Sequence, residues 1–506
     1  MNRKINKILL ISPPYTLMKG RINRAVPPLG LAYIGAVLEK NNYHVKIVDA
    51  ALEGFGTQEK INENHYRHGL TPFQLKQQIQ EFNPDIVGVS CLFSPQFHNL
   101  QMVCKSAKEV SPNILTMIGG EHPSVFSKEI LGNNQTVDFV VIGEGEQTVL
   151  ELIKCIESGK DYSSIDGLSF RSNNEVIVNP KTRFITDLDA VPLPARHLLN
   201  MDKYFDINLP QATTPLKKPN TSMITSRGCS GHCIFCATTK HWGNRYRARS
   251  PENVLQEIKF LTDTYKIKEL HFLDDNLTLN KKRALEIFRK LKDMNLDLKW
   301  CTPQGVATWT LDEELLTAMK ECGCYELTLA IESGDENVLK NIIRKPGNIE
   351  HTKKVVKIMK KLNISTSAFF VSGFPGETKE QIEKTFRLAD ELELDHAMFL
   401  IATPLPGTEL YDICKEKNYL DSNYNYNNIE YAACYINTKD FSSSEIDKMV
   451  SRKYVTYHFN ILFRNPKVFF KRYVWFFLKN PVFMTGFLKY IFFMIRGKIF
   501  SREVKV

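Results

Sequence analysis

Three cysteines, Cys229, Cys233 and Cys236, stand in a CxxxCxxC spacing directly after the run SMITS and Arg227-Gly228. Thiolates are soft ligands, and three from one loop can hold three irons of a cuboidal 4Fe-4S cluster, which normally takes four ligands. The fourth iron is then open to a small molecule. A structural zinc ion, with His232 available as a fourth ligand, is the plainer alternative, although zinc sites usually use other spacings. Further on, Asp274-Asp275-Asn276 closes the run ELHFLDD. An acid pair there binds an amino group, orients a substrate or caps the next helix. Cys301, Cys322 and Cys324 lack a cluster spacing and read as buried small apolar residues, one of which is also a candidate late hydrogen-atom donor.

These residues need strand ends to hold them. Between residues 221 and 435, six apolar runs (SMITSRG, ELHFLDD, LKWCTPQG, YELTLAIESG, STSAFFVSGFPGET and HAMFLIATPLPGT) alternate with helical patterns near 251–265, 281–294, 312–321, 338–362 and 378–392. Six is fewer than the eight of a closed barrel, so the expected fold is a partial (β/α)6 barrel. Residues 5–157 alternate in the same way, with a polar helical stretch between HVKIVD and DIVGVSC, which predicts a doubly wound, Rossmann-like parallel sheet of about five strands. Ligands of such sheets bind at the strands' carboxyl ends. Here those ends are Ser12-Pro13-Pro14, Ser90-Cys91, Gly119-Gly120-Glu121-His122-Pro123 and Gly143-Glu144-Gly145-Glu146. Glycines there let a backbone approach a large flat ligand, or simply make tight turns. Residues 158–220 are expected to form a structured connector with two short strands, GLSFR and EVIVN, and 436–506 a helical C-terminal region.

A chain of 506 residues suits two or three domains. Eleven scattered cysteines and a start without a signal peptide's pattern predict reduced thiols and a cytoplasmic protein. The net charge of +10 is concentrated from Arg464 to Val506, where ten Lys or Arg face one acid in 43 residues. The remainder is near neutral, which argues against nucleic acid as a partner.

With Phe235 as its aromatic, the CxxxCx(aromatic)C pattern resembles the radical S-adenosylmethionine superfamily. In that family the open iron chelates the amino and carboxylate groups of S-adenosylmethionine, and an electron from the cluster cleaves it to a 5'-deoxyadenosyl radical. Glu332-Ser333-Gly334 resembles the family's fourth-strand contact to the ribose and methionine parts, and Gly373-Phe374-Pro375-Gly376-Glu377-Thr378 the turn after the fifth strand. Leu405-Pro406-Gly407-Thr408 after the sixth fits as well, and Asp274 joins the implied cofactor contacts.

Upstream, VPPLGLAYIG at 26–35, Gly119-Gly120 and the GEGE at 143–146 resemble the cobalamin-binding branch of that superfamily. Ser90, Gly119, Gly120, Gly143, Glu144 and Gly145 become the implied corrin contacts. One departure is the missing DxHxxG motif: Asp49 is followed by Ala50 and Ala51, with no histidine for the cobalt. The resemblance, which spans residues 5–435, implies three cofactors (4Fe-4S cluster, S-adenosylmethionine, cobalamin) and an electron donor such as flavodoxin or ferredoxin.

The expected reaction is methylation of an unactivated carbon. The alternatives are cobalamin-assisted cyclisation or carbon–carbon coupling, and a non-enzymatic corrinoid or iron-sulfur sensor. Twelve aromatics among the basic residues from 464 to 506 leave no uninterrupted spanning segment. They read as a helix pair on the inner face of an anionic membrane, or as packing against the barrel. The membrane reading points to a hydrophobic small molecule, such as a lipid, hopanoid or tetrapyrrole, as substrate.

Overall fold

The run KILLIS is apolar at consecutive positions because both faces of the strand it forms are covered. In the computed structural model, which describes residues 3–19, 21, 23–210 and 215–470, this strand is β1 (Lys7–Ser12). Ile8 and Leu10 join one core with helices Leu29–Lys40 and Gly145–Ser158, while Leu9 and Ile11 join a second with helices Pro72–Phe82 and Phe97–Val110. The other strands of the sheet are β2 (His44–Asp49), β3 (Ile86–Ser90), β4 (Leu115–Gly119), β5 (Phe139–Val141), β6 (Leu168–Ser172) and β7 (Glu175–Val178). Their order is β7-β6-β5-β4-β3-β1-β2. β1 to β5 are parallel, as the alternation predicts.

Two features differ from expectation. GLSFR and EVIVN do not stand apart in a connector: as β6 and β7 they extend this sheet as an antiparallel hairpin beside β5. Part of the polar stretch after β2, read as helical, instead forms the strands Gln58–Lys60 and His65–His68, paired with Tyr15–Met18 in a small antiparallel sheet.

In the second sheet, β8 (Asn220–Met223), β9 (Glu269–Phe272), β10 (Lys299–Ala307), β11 (Cys324–Glu332), β12 (Ser365–Ser372) and β13 (His396–Ile401) lie side by side in chain order, all parallel. The intervening helices bury one face. Trp300 on that face stacks on Phe288 at 5.0 Å and donates its indole N–H to the Cys322 carbonyl at 3.2 Å.

Between the sheets, Arg196 is fully buried, donating to the Glu257 carboxylate at 2.5 Å and to the Ser222 carbonyl at 2.8 Å. The helix Ser443–Arg464 packs beside β13, where buried Tyr457 donates its hydroxyl to the Leu394 carbonyl at 3.1 Å. Most of the basic aromatic tail, residues 471–506, lies outside the described residues. Among the described residues, no helix is long and apolar enough to cross a membrane.

Candidate active site between two strand edges

The cysteine loop follows β8 and is held at both ends. Gly228, at φ +81°, would bring a Cβ to 2.7 Å from the Arg245 carbonyl, so a side chain is excluded, and its N–H donates to Asp275 at 3.0 Å. Ile234 donates to the Ile343 carbonyl at 3.1 Å and accepts from Leu410 N–H at 2.8 Å. Cys229, Cys233 and Cys236 are half-buried free thiols. Gly231 lies between two of them: a Cβ there would come 3.5 Å from Cys229 Sγ and 3.7 Å from Cys233 Sγ, while its N–H donates to Cys229 Sγ at 3.3 Å. A hollow between thiols with an N–H aimed at one sulfur fits a cluster bound by three thiolates. Burial pushes the Cys233 thiol up to about 12 against the pull of Lys345, so a metal there must displace its proton.

Lys345 was not singled out from the sequence. A π-helical turn, Val338–Ile343, delivers it to Glu332, whose carboxylate it meets at 2.5 Å, and its ammonium lies 5.7 Å from the centre of the Trp309 ring. Glu332 itself holds φ at +67°, an uncommon conformation for a residue with a side chain, at the carboxyl end of β11. The bond from Ile234 N–H to the Ile343 carbonyl, two residues before Lys345, sets the pair beside the loop, where both charges act on Cys233. No local signal joins two residues 13 positions apart across an irregular turn. Phe235 packs 5.6 Å from Phe374, in the turn that begins at Gly373 (φ +93°). The buried Glu377 carboxylate holds that turn by accepting from Gly373 N–H at 2.8 Å and Phe374 N–H at 3.1 Å.

At the carboxyl edge of the first sheet, β1 and β3 are neighbours whose connections leave in opposite directions, the switch point where such sheets bind ligands. Ser90, Cys91, Gly119 and Gly120 form this edge. Gly120, at φ +109°, would place a Cβ 2.3 Å from the Cys91 carbonyl, so the chain needs glycine there. Exposed Leu92, Phe93 and Tyr431 form an apolar rim, with Phe93 and Tyr431 rings 6.2 Å apart. That bare rim suits a large flat ligand.

Asp49, where the motif with a cobalt-binding histidine would begin, is buried. It caps a short helix through Ala51 N–H and accepts from the Tyr204 hydroxyl at 2.6 Å. His122 is buried between Phe97 and Phe126, bonded to Ser94 Oγ at 2.9 Å, and burial lowers it to about 4, so it is neutral.

The two edges meet. Glu121, from the first sheet's edge, is pushed up to about 7 by burial and then by the negative charge of Asp275 from the second. Burial, opposed by Gly228 N–H and aided by Asp274, raises Asp275 to about 6.

Several expected contacts lie elsewhere. Glu144 does not face the crevice: its buried carboxylate accepts from Arg227 at 2.8 Å and Arg247 at 2.6 Å, and Glu146 takes the other arm of Arg227 at 2.5 Å. The Arg227 guanidinium also lies over the Tyr33 and Trp242 rings. Gly143 and Gly145 share this seam, packed near the His241 carbonyl and Ile34, because β5 is two strands away from the switch point. Asp274 is neither exposed to a ligand nor a helix cap. It accepts from Thr225 N–H and the Thr225 and Ser226 hydroxyls, while Asn280 caps the following helix. Ser333 and Gly334 turn onto Thr385 of helix Lys379–Leu392, leaving Glu332 as the member of that triplet nearest the cysteines.

Two family models match the chain: the radical SAM superfamily over residues 223–389 and the B12 binding domain over residues 15–153. Cytidylyl-2-hydroxyethylphosphonate methyltransferase of Streptomyces wedmorensis is 36% identical over 448 residues, covering 83% of each chain. Anaerobic magnesium-protoporphyrin IX monomethyl ester cyclase of Rubrivivax gelatinosus is 28% identical over 416 residues, covering 81% of this chain and 70% of the relative. The solved structure of OxsB, a cobalamin-dependent S-adenosylmethionine radical enzyme with aqua-cobalamin and S-adenosylmethionine bound, shares the fold. Its TM-score is 0.70 at 16% identity, over 97% of this chain and 73% of that one.

The chain therefore belongs to the radical SAM superfamily, in the branch that carries a B12-binding domain. It is an enzyme acting on a small molecule, with a 4Fe-4S cluster, S-adenosylmethionine and cobalamin as cofactors, which sets aside the sensor reading.

Proposed function

We propose that this enzyme transfers a methyl group to an unactivated carbon of its substrate, held in the seam between the two strand edges. The observation that carries the reading is the packing of helix Glu121–Asn133, which starts at the first sheet's edge, against Thr238–Trp242 just past the cysteine loop. Bound there, the cluster and S-adenosylmethionine supply a hydrogen-abstracting radical, and cobalamin supplies the methyl donor.

In this reading Cys229, Cys233 and Cys236 ligate the cluster. Glu332 and Lys345 present paired charges to the polar end of S-adenosylmethionine, and Phe235 with the Gly373 turn closes its other side. Ser90, Gly119 and Gly120 leave room for the corrin, and Leu92, Phe93 and Tyr431 keep water from its plane. The second sheet is a partial (β/α)6 barrel. The units run 5–157, 158–220, 221–435 and 436–506, with the β6–β7 hairpin lent by the connector to the first sheet. An outside donor, a flavodoxin or ferredoxin, delivers the electron.

The basic aromatic tail supports a hydrophobic methyl acceptor reached from a membrane surface. The Streptomyces relative, named for a cytidylylated phosphonate, supports a polar one instead, and the cyclase relative supports reaction without methyl transfer. One experiment separates them: reconstituted enzyme, reductant and methyl-labelled S-adenosylmethionine are incubated with the lipid and the aqueous fractions of a cell extract. Label in a lipid supports the hydrophobic reading, and label in a water-soluble product the polar one. Deoxyadenosine formation without label in either fraction would sink methyl transfer.

A further inference from the structure

The second sheet has another group of ligand-type side chains at the end away from the cysteine loop. Glu269 is the first residue of β9, and His271 follows two positions later on the same face. Cys301 of β10 is the register partner of His271. The ligand atoms of these three residues lie within 4.8 Å of one another, and all three side chains are buried. His271 Nε2 is 2.9 Å from Glu269 Oε1, and the hydroxyl of Tyr325 is 2.8 Å from the same oxygen and 3.3 Å from Cys301 Sγ. Glu269 Oε2 accepts from Lys217 N–H at 2.6 Å, which fixes the carboxylate from behind.

Within 4 Å, the salt-bridge partner of Glu269 among the described residues is His271 alone, with no lysine or arginine. A second buried carboxylate, Glu326, acts on Tyr325 together with Glu269 and Cys301. Two other buried acids, Glu144 and Glu257, each meet two guanidinium groups. Here Glu269 faces one imidazole, with a thiol beside it, a set of donors that a metal cation can bridge.

We propose that Glu269, His271 and Cys301 bind a structural zinc ion, with the Tyr325 hydroxyl at the fourth position. A tetrahedral ion with bonds of about 2.0 Å to nitrogen or oxygen and 2.3 Å to sulfur needs ligand atoms about 3.3–3.6 Å apart. The 2.8, 2.9 and 3.3 Å separations between these groups are about 0.3–0.5 Å shorter than that spacing, so the ligands part slightly on binding. Mixed oxygen, nitrogen and sulfur ligands suit zinc, and the ionised Glu269 and Cys301 thiolate cancel its charge. On binding, the thiol proton leaves to solvent. The ion would pin the amino-terminal ends of β9, β10 and β11, the strands whose opposite ends or following loops carry Asp275 and Glu332.

The test uses cluster-loaded full-length enzyme, with metal content and zinc K-edge X-ray absorption as readouts. The expected result is about one zinc per chain, with about one sulfur near 2.3 Å and the remaining ligands nitrogen or oxygen. Cys301→Ser and His271→Gln each lower zinc at least about fivefold while iron content is kept. Zinc absent from the wild type, or bound by three sulfurs and lost in Cys229→Ala, would overturn the proposal. The sulfur count in the wild type decides even if a variant fails to fold.

Discussion

At the carboxyl edge of the first sheet Leu92, Phe93 and Tyr431 are exposed, and the backbone there is thinned by Gly119 and Gly120. At the facing edge of the second sheet stand Asp275, three thiols and the Glu332–Lys345 pair. One edge offers a flat apolar shelf, the other charges and metal ligands. The contrast matches a broad ring system on one side and a zwitterion on a metal on the other. It also means that each edge can be damaged without the other.

The sharpest break is Cys233→Ala, expected to lower S-adenosylmethionine cleavage more than about a hundredfold. Cobalamin retention, read from the absorption spectrum, stays as in the wild type. Cleavage that persists would remove the loop from the chemistry.

Next comes Lys345→Met. It leaves the Glu332 carboxylate buried without its cation, a change that costs about 3–5 kcal/mol. Deoxyadenosine formation and denaturant stability are both expected to fall, again with cobalamin retained. An unchanged unfolding midpoint would mean that the pair is not closed in solution.

Glu377 tests the polar edge through pH. Burial raises its carboxyl from 4.5 to about 7, so the folded state holds a proton that the unfolded state has lost. Its contribution to stability is fully present below pH 4.5 and is lost as pH rises through 7. The swing is about 3 kcal/mol. Glu377→Gln is expected to flatten that part of the stability–pH curve; a curve superimposable on the wild type would refute the raised value.

The smallest effect is at the shelf. Phe93→Asp removes a ring that a bound corrin would cover and puts a charge against it. About 1–2 kcal/mol of affinity is expected to go, a five- to thirtyfold rise in Kd by titration, with S-adenosylmethionine cleavage little altered. Equal loss of both activities would erase the division between the edges.

What could be read in the sequence was local. The cysteine spacing, the glycines at strand ends and the apolar runs each carry their meaning within a few residues, so both βα series and the helices from 251 to 392 sit close to where periodicity predicts them. Partners distant in sequence were not legible. Glu144 looked like a ligand-facing residue because it lies between glycines, and nothing near it announces Arg227, 83 positions on. Asp274 and Asp275 look interchangeable in sequence. Just past the end of β9 the chain turns one to Thr225 and Ser226 and the other to Gly228 N–H. Cys301 read as a small apolar filler, and only the register of β9 against β10 reveals the histidine opposite it.

Arg227 immediately precedes the glycine that opens the cysteine loop, and both its arms end on carboxylates of the other sheet. A genetic crossover anywhere between residues 158 and 220 would part that guanidinium from Glu144 and Glu146 and leave buried charges on both fragments. The two halves are therefore poor candidates for shuffling. A chimera that swaps the B12-binding half for a relative's must carry both acids with it, or replace Arg227 and Arg247 in the same step.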